Sequence, residues 1–402
     1  MPRPLLHPFT RPVEERFVPI VRGEGAVVWD DQGREYVDGM GSLWYCQVGH
    51  GRAEIADAVA AQMRTLEAFH TFAPYTNEPA ERLAAEVVAR SPLPDGRAFL
   101  CSSGSEAVDT ALKLARLVHG LRGAPERRLI VAREHSYHGV TYGGTSAQGL
   151  APNRAGWGEL VPGFVHVPHR DLEALEALFV SRGDEIAAVI SEPVQGAGGV
   201  FPPPEGYLTR LRRLCDEHGA LLIADEVICG FGRLGHWFGS QRFEVRPDLV
   251  TFAKGVSSGY QPLGGVLLSR AICDLLEADD QFLLRHGFTF SGHPCACAAG
   301  LANLAILERE GLLGRADVIG EHLGGGLRAL QDEGRAREVR GVGAIWGVAL
   351  HEGDRAAAVR DRMLDRGVIA RPLPGDVLAW CPPLVIEEAQ IDRCLEALRK
   401  SL

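Results

Sequence analysis

The sequence predicts an α/β fold joined to a smaller α+β unit, and three observations lead there. Buried-type strands alternate with amphipathic helices from about residue 98 to 270, the texture of a parallel or mixed sheet covered on both faces. From about residue 311 helices interleave with short strands instead, a unit that can pair with residues 1–50 as a second domain built from both chain ends. The length of 402 residues, 46% hydrophobic and 23% charged, suits one large and one small domain of a globular protein.

Taken in order, Ala26 to Asp38 reads as a hairpin around Asp31-Gln32-Gly33. Gly39–Gly51 is a Gly-rich loop whose Trp44 and Tyr45 suit a pocket wall or packing against a neighbouring element equally well. Helical spacing marks 53–68 and 78–90. Ala98–Cys101 reads as a short buried strand. Ser102-Ser103-Gly104-Ser105 follows, and then a helix with Val108, Ala111, Leu112, Ala115 and Val118 on one face. A small-residue turn at a helix N-terminus suits an anion; it also suits an ordinary cap formed by Ser105, and the two are compatible.

Leu129–Ala132 is the next strand and runs into Tyr137-His138, where the tyrosine can stack on a flat ring or simply pack. A short helix spans 172–179. Ala187–Ser191 is a strand ending in Glu192 and the turn Gln195-Gly196-Ala197-Gly198-Gly199, and a helix follows around 206–217. Val266–Ser269 is a further strand, 286–294 a loop rich in small polar and aromatic residues, and 295–310 a helix. The last section reads as helices at 315–333, 355–366 and 388–401, with strands near 336–350 and 367–370.

The chemistry concentrates between Leu221 and Gly255. Leu221–Ala224 is a buried-type strand ending in Asp225 and Glu226; Leu249–Phe252 is another and delivers Lys254. In open α/β sheets ligands sit at the carboxyl ends of strands. A lysine for a Schiff base and an acid for a ring nitrogen are what pyridoxal phosphate requires. A surface lysine near a strand-end acid is the ordinary alternative.

Charge and cysteine usage exclude other classes. The net charge is 42 − 52 = −10 with no basic run, which argues against nucleic acid and anionic membranes as partners. The nine cysteines are scattered and odd in number, as expected of reduced thiols in a cytoplasmic protein. Cys295 and Cys297 have no second ligand pair, so no metal site is expected. The N-terminus lacks a signal-peptide apolar core, and no apolar run reaches the roughly 18 residues of a membrane span.

The segments SSGSEAVDTALKLAR, SYHG, EPVQGAGG, LLIADEVICGFGRLGHWF, PDLVTFAKGVSSGYQPLGG and GFTFSGHP together resemble the class III (subgroup II) aminotransferases of pyridoxal-phosphate fold type I, over nearly the whole chain. The resemblance implies an aspartate aminotransferase-like large domain with a mainly parallel seven-stranded sheet over 51–305, and a small domain from 1–50 and 306–402. It implies Lys254 as the Schiff-base lysine and proton carrier and Asp225 as the partner of the ring nitrogen. It also implies that Tyr137 and Val227 lie on opposite ring faces, that His138 and Glu192 lie beside the cofactor, and that Ser103, Gly104 and Ser105 form the phosphate cup. Thr289 matches a threonine that reaches the phosphate of the neighbouring subunit, so a homodimer with shared sites is the smallest competent unit, with a tetramer as a larger assembly.

Two departures bear on substrate. Ala197 stands where 4-aminobutyrate and ornithine aminotransferases carry a glutamate, and Ile228 stands where they carry a glutamine. The Leu43-Trp44-Tyr45 loop with DEVICGFGR and GHWFG instead resembles the ω-amino acid and amine:pyruvate transaminases. That likeness implies that Trp44 lines the substrate pocket and that Arg371 binds the substrate carboxylate; a surface arginine before a proline is the alternative for Arg371. The implied reaction moves an amino group from an ω-amino acid or primary amine to a keto acid, pyruvate foremost. A diamine, 4-aminobutyrate or other amino-acid aminotransferase and an aminomutase are the alternatives on this fold.

Overall fold

The computed structural model describes residues 4–13, 17–351, 353 and 355–402. Residues 1–3 and 14–16, part of the segment expected as strands and loops, lie outside the described residues, as do 352 and 354. The strands in chain order are β1 (Ile20–Glu24), β2 (Val27–Asp30), β3 (Glu35–Asp38), β4 (Arg97–Cys101), β5 (Leu129–Arg133), β6 (Phe164–Val167), β7 (Ile186–Ser191), β8 (Leu221–Asp225), β9 (Leu249–Phe252), β10 (Gly264–Leu268), β11 (Glu338–Val342), β12 (Ile345–Ala349), β13 (Val368–Ile369), β14 (Arg371–Leu373) and β15 (Val377–Trp380).

The central sheet has seven strands in the order β4-β10-β9-β8-β7-β5-β6. The neighbours from β9 through β6 pair in parallel, and β10 runs antiparallel to both β9 and β4. The strands are short unbroken apolar runs because both faces are covered. Successive side chains point to opposite faces. Ile130, Ala132, Ile190 and Ile223 pack with the helix Gly104–Leu121 on one side. Leu129, Val131, Val189 and Leu222 pack with Phe179 and the helix Tyr207–His218 on the other. This is the fold expected from the sequence.

The two chain ends meet where β13 pairs in parallel with β3, closing the sheet β1-β2-β3-β13. A third sheet, β11-β12-β15-β14, carries Arg371 on its edge strand β14. Pro372 is tolerated there because an edge strand need not donate on both sides. The loop of residues 374–376 returns the chain to β15, with Leu373 opposite Val377. One continuous core runs from the helices Ala53–Thr65, Glu78–Arg90 and Pro294–Arg309 to Leu312–Asp332 and Glu388–Arg399.

Several expectations needed correction. The helix foreseen at 172–179 continues to Arg182. The strands β6, β14 and β15 and the helix Arg270–Glu277 were not foreseen. The cap of the helix Gly104–Leu121 is Ser103, whose Oγ accepts from Glu106 N at 3.2 Å, and not Ser105, which lies one step inside the helix. Among the described residues, no helix is long and apolar enough to cross a membrane.

Phe179 is fully buried under the central sheet and lines none of the cavities described below. Phe179→Ala is expected to cost about 3–5 kcal/mol in chemical denaturation, with the Michaelis constants of the surviving folded protein unchanged.

Candidate active site

Five strands present their carboxyl ends at the same edge of the central sheet. Ser103, Gly104 and Ser105 follow β4; Tyr137 and His138 follow β5; Glu192 follows β7; Asp225 ends β8, with Val227 two residues on; and Lys254 follows β9. These nine residues line one cavity of about 120 Å3, together with Val108, Gly139 and Ile228.

Asp225 is buried, and its carboxylate is clasped from three directions. His138 Nδ1 lies 2.7 Å from Oδ2, Thr251 Oγ1 donates to Oδ1 at 3.1 Å, and Val227 N donates to Oδ1 at 3.2 Å. A carboxylate only accepts, so Nδ1 carries the proton of His138; its Nε2 is buried with no partner among the described residues. Two carboxylate oxygens offer about four acceptor sites. Three are used, and the fourth remains for a donor in the cavity. Glu226, the second acid of the strand end, turns away: it accepts from Gly239 N at 2.7 Å and Ser240 N at 2.6 Å, and burial pushes its pKa up to about 7.

Lys254 holds a positive φ of 47°, a conformation that L-residues adopt at a cost of roughly 1–3 kcal/mol and that concentrates at working sites. Among the described residues no hydrogen bond or ion pair engages its amine. Withdrawal from water lowers its pKa, against the opposing pull of Asp225 and Glu192. Glu192 is fully enclosed, and burial raises its pKa. Its Oε1 accepts from Tyr137 N at 3.0 Å and its Oε2 from Gly196 N at 2.9 Å. It therefore pins the tyrosine loop to the 195–199 turn, with one backbone donor on each oxygen.

At the opposite end lies the start of the helix Gly104–Leu121. Gly104 and Ser105 are its first two residues, whose N–H groups have no acceptor within the helix, at the positive end of the helix dipole. A Cβ on Gly104 would meet Val227 Cγ1 at 2.9 Å, so only glycine lets this turn close on Val227. Ser105 Oγ accepts from Val140 N at 3.1 Å and keeps its own proton to donate. The set therefore offers anion donors at one end, an acid with a spare acceptor site, two flanking side chains in Tyr137 and Val227, and an unpaired amine. That is the donor set pyridoxal phosphate requires, and the residues fit it.

A second cavity of about 330 Å3 adjoins the first and shares Tyr137, Ile228 and Lys254 with it. Its other walls include Phe9, Leu43, Trp44, Ala197 and Arg371. Trp44 sits on a strained loop, with φ of 59° at Ser42 and 67° at Trp44. Asp38 secures the loop by accepting from Met40 N at 3.0 Å, Ser42 N at 2.6 Å and His50 Nε2 at 2.8 Å. Arg371 has no hydrogen-bonding or ion-pairing partner among the described residues, and burial lowers its pKa. A half-buried, unpaired guanidinium is a receptor for a carboxylate.

Thr289 stands apart. It is exposed in the loop before the helix Pro294–Arg309 and lines neither cavity. Two contributors escaped the sequence reading. Thr251 had a signal, a hydroxyl inside the otherwise apolar run Leu249–Phe252. Phe9 had none, because nothing in the N-terminal segment points toward a cavity whose other walls come from distant parts of the chain.

Comparison with known proteins gives one answer. The aminotransferase class-III sequence profile matches residues 9–402. A putrescine–pyruvate aminotransferase of Pseudomonas aeruginosa is 36% identical over 95% of this chain and 90% of its own length. An omega-aminotransferase of Caulobacter vibrioides is 39% identical over 92% and 90%. The crystal structure of a thermostable (S)-enantioselective omega-transaminase from Thermomicrobium roseum superposes with a TM-score of 0.94 at 38% identity, covering 99% of this chain and 95% of that one. The cavity at the strand ends, the continuous family match and these likenesses lead to one conclusion: the chain belongs to the class III aminotransferases.

Proposed function

We propose that this aminotransferase is a pyridoxal-phosphate-dependent ω-transaminase that moves an amino group from an ω-amino acid or primary amine to a keto acid, with pyruvate as acceptor. The observation that carries the reading is Arg371, an unpaired cation in a cavity otherwise walled by Phe9, Leu43, Trp44 and Leu373 and open to Lys254. Such a cavity receives a carboxylate at one point and apolar substance elsewhere.

The chain's residues divide the work. Gly104 and Ser105 N–H, with the hydroxyls of Ser103 and Ser105, hold the phosphate. Asp225, fixed by His138 and Thr251, would accept from the ring nitrogen, and Tyr137 and Val227 would flank the ring. Glu192 keeps the Tyr137 loop in place. When bound, the cofactor supplies an electron sink for the negative charge that develops at the donor carbon. Lys254 Nζ would anchor the cofactor and, once freed, would be the base that holds the proton removed from that carbon. Its lowered pKa suits this task, because a larger share of the amine is neutral near pH 8 than in an exposed lysine. Arg371 orients the keto acid through its carboxylate, while Trp44 and Leu43 exclude water.

The relative named for putrescine favours a diamine as the second reading. The substrate cavity offers a distal ammonium no carboxylate among its described lining residues, and Arg371 repels it. Ala197 likewise leaves Arg371 without the acid that the 4-aminobutyrate reading requires. An aminomutase needs no keto acid; product formation from a single amine without any acceptor would establish it.

The exposed Thr289 supports a homodimer in which each subunit completes its partner's phosphate site, with a tetramer as a larger assembly. The sheets formed by the chain ends support a small domain of 1–50 and 306–402 beside a large one of 51–305. Nine free, buried cysteines support a cytoplasmic location.

Two experiments test the reading. The sequence holds three lysines, at 113, 254 and 400. Borohydride reduction of the holoenzyme followed by peptide mapping should place the cofactor's mass on Lys254; finding it on Lys113 or Lys400 refutes the assignment. In the apoprotein, the rate of cofactor uptake should rise with pH and level off below 10.5, the ordinary lysine value, because burial lowers the amine's pKa. Arg371→Leu should raise KM for pyruvate by roughly 10–150-fold, the loss of a charge-assisted contact. Discharge of the holoenzyme by 1-phenylethylamine, which has no carboxylate, should change little. An equal effect on both removes Arg371 from carboxylate binding.

A further inference from the structure

We propose that Asn303 is a positioning residue for Lys254, holding the turn of residues 254–258 in the form that delivers the lysine to the cofactor cavity. The proposal rests on the transaminase reading above. Lys254 and Ser258 bracket that turn with positive φ angles of 47° and 49°. Such conformations persist only where the surroundings dictate them. Here one side chain engages three residues of the turn. Asn303 is fully buried in the helix Pro294–Arg309. Its Nδ2 donates to Gly255 O at 2.8 Å and to Val256 O at 3.0 Å, and its Oδ1 accepts from Ser258 Oγ at 2.6 Å. Ser258 Oγ in turn accepts from Val48 N at 3.3 Å, which ties the turn to the chain just beyond Trp44.

The hydrogen-bond count shows why this contact fixes the turn. An amide has two donor hydrogens and a hydroxyl has one. Both hydrogens of Asn303 Nδ2 and the one of Ser258 Oγ are used within the network. Carbonyls only accept, so Gly255 O and Val256 O decide which end of the amide meets the turn. The backbone offers little in its place: Gly255 O has one backbone donor, Ser258 N at 3.4 Å, and Val256 O has none among the described residues. Asparagine competes with the helix backbone and is a poor helix former. Asn303 is nonetheless the one amide among the buried residues of its helix, whose others are apolar or small. Gly255 is crowded as well by Gln47, whose Nε2 would collide with a Cβ at that position. Asn303 lines neither the cofactor cavity nor the substrate cavity, so its influence on the chemistry passes through the backbone of Lys254.

Asn303→Leu, similar in size, removes all three bonds. Ser258→Ala removes one and carries the test if Asn303→Leu does not fold. Phe179→Ala supplies a loss of stability remote from the turn. Two quantities are read on the holoenzyme. The absorbance of the lysine-bound cofactor titrates with pH at a midpoint that depends on the angle at which the backbone holds the lysine. That midpoint should move by about half a unit or more in Asn303→Leu, move measurably in Ser258→Ala, and stay in place in Phe179→Ala. The maximal rate at which 1-phenylethylamine discharges the cofactor should fall roughly 10–100-fold in Asn303→Leu, the loss expected when a reacting group is displaced by up to about 1 Å. The half-saturating amine concentration should not change, because Asn303 lies outside the substrate cavity. The proposal is overturned if a folded variant of the network keeps the native midpoint and rate, if Phe179→Ala changes both equally, or if only the half-saturating concentration moves. Borohydride mapping that finds no cofactor on Lys254 of the native protein refutes the transaminase reading instead, so the two failures are distinct.

Discussion

The carboxylate of Asp225 is the fixed point of this molecule. A buried acid is tolerated only where donors compensate for lost water, and here they come from three different chain segments: His138 after β5, Thr251 in β9 and the backbone of Val227 after β8. The parallel register that sets Asp225 beside Thr251 is thus part of the site as well as of the sheet. The same three contacts leave one acceptor position on a carboxylate that lines the same cavity as Lys254. The strain at Lys254, at Ser42 and at Trp44 is borne by a sheet and helices packed tightly enough to dictate those conformations.

The division between cofactor chemistry and substrate choice follows the architecture. The groups suited to the cofactor all come from the carboxyl edge of one sheet, which is rigid and buried. The groups around the substrate cavity come from elsewhere: Phe9 from the N-terminal segment, Leu43 and Trp44 from the loop that Asp38 secures, and Arg371 from an edge strand of a separate sheet. Walls contributed by loops and edges can vary without disturbing the central sheet, which is how one reaction comes to serve many amines on one fold.

How much of this was legible in the sequence depends on what made each part. The central strands were legible because a strand covered on both faces is an unbroken apolar run, as in Leu221–Ala224 and Leu249–Phe252. The residues of the cofactor cavity were legible because each follows such a run directly. What escaped is non-local or borderline. Thr251 reads as an ordinary strand threonine until its neighbour Asp225 is known. Phe164–Val167 is an edge strand carrying His166, and Arg371–Leu373 contains a proline, so neither shows the pattern of a buried strand. Ser103 and Ser105 are both good caps, and local sequence could not say which hydroxyl accepts from Glu106 N and which from Val140 N. Phe9 reaches its place only through tertiary packing.

The central proposal is that Asp225 accepts from the ring nitrogen of the cofactor and keeps it protonated. The most direct measurement is the nitrogen-15 chemical shift of ring-labelled pyridoxal phosphate bound to the protein. The account predicts a protonated ring nitrogen across neutral pH in the native protein and its loss in Asp225→Asn, with the cofactor still attached to Lys254. An unprotonated nitrogen in the native protein, or a shift indifferent to Asp225→Asn, would contradict it.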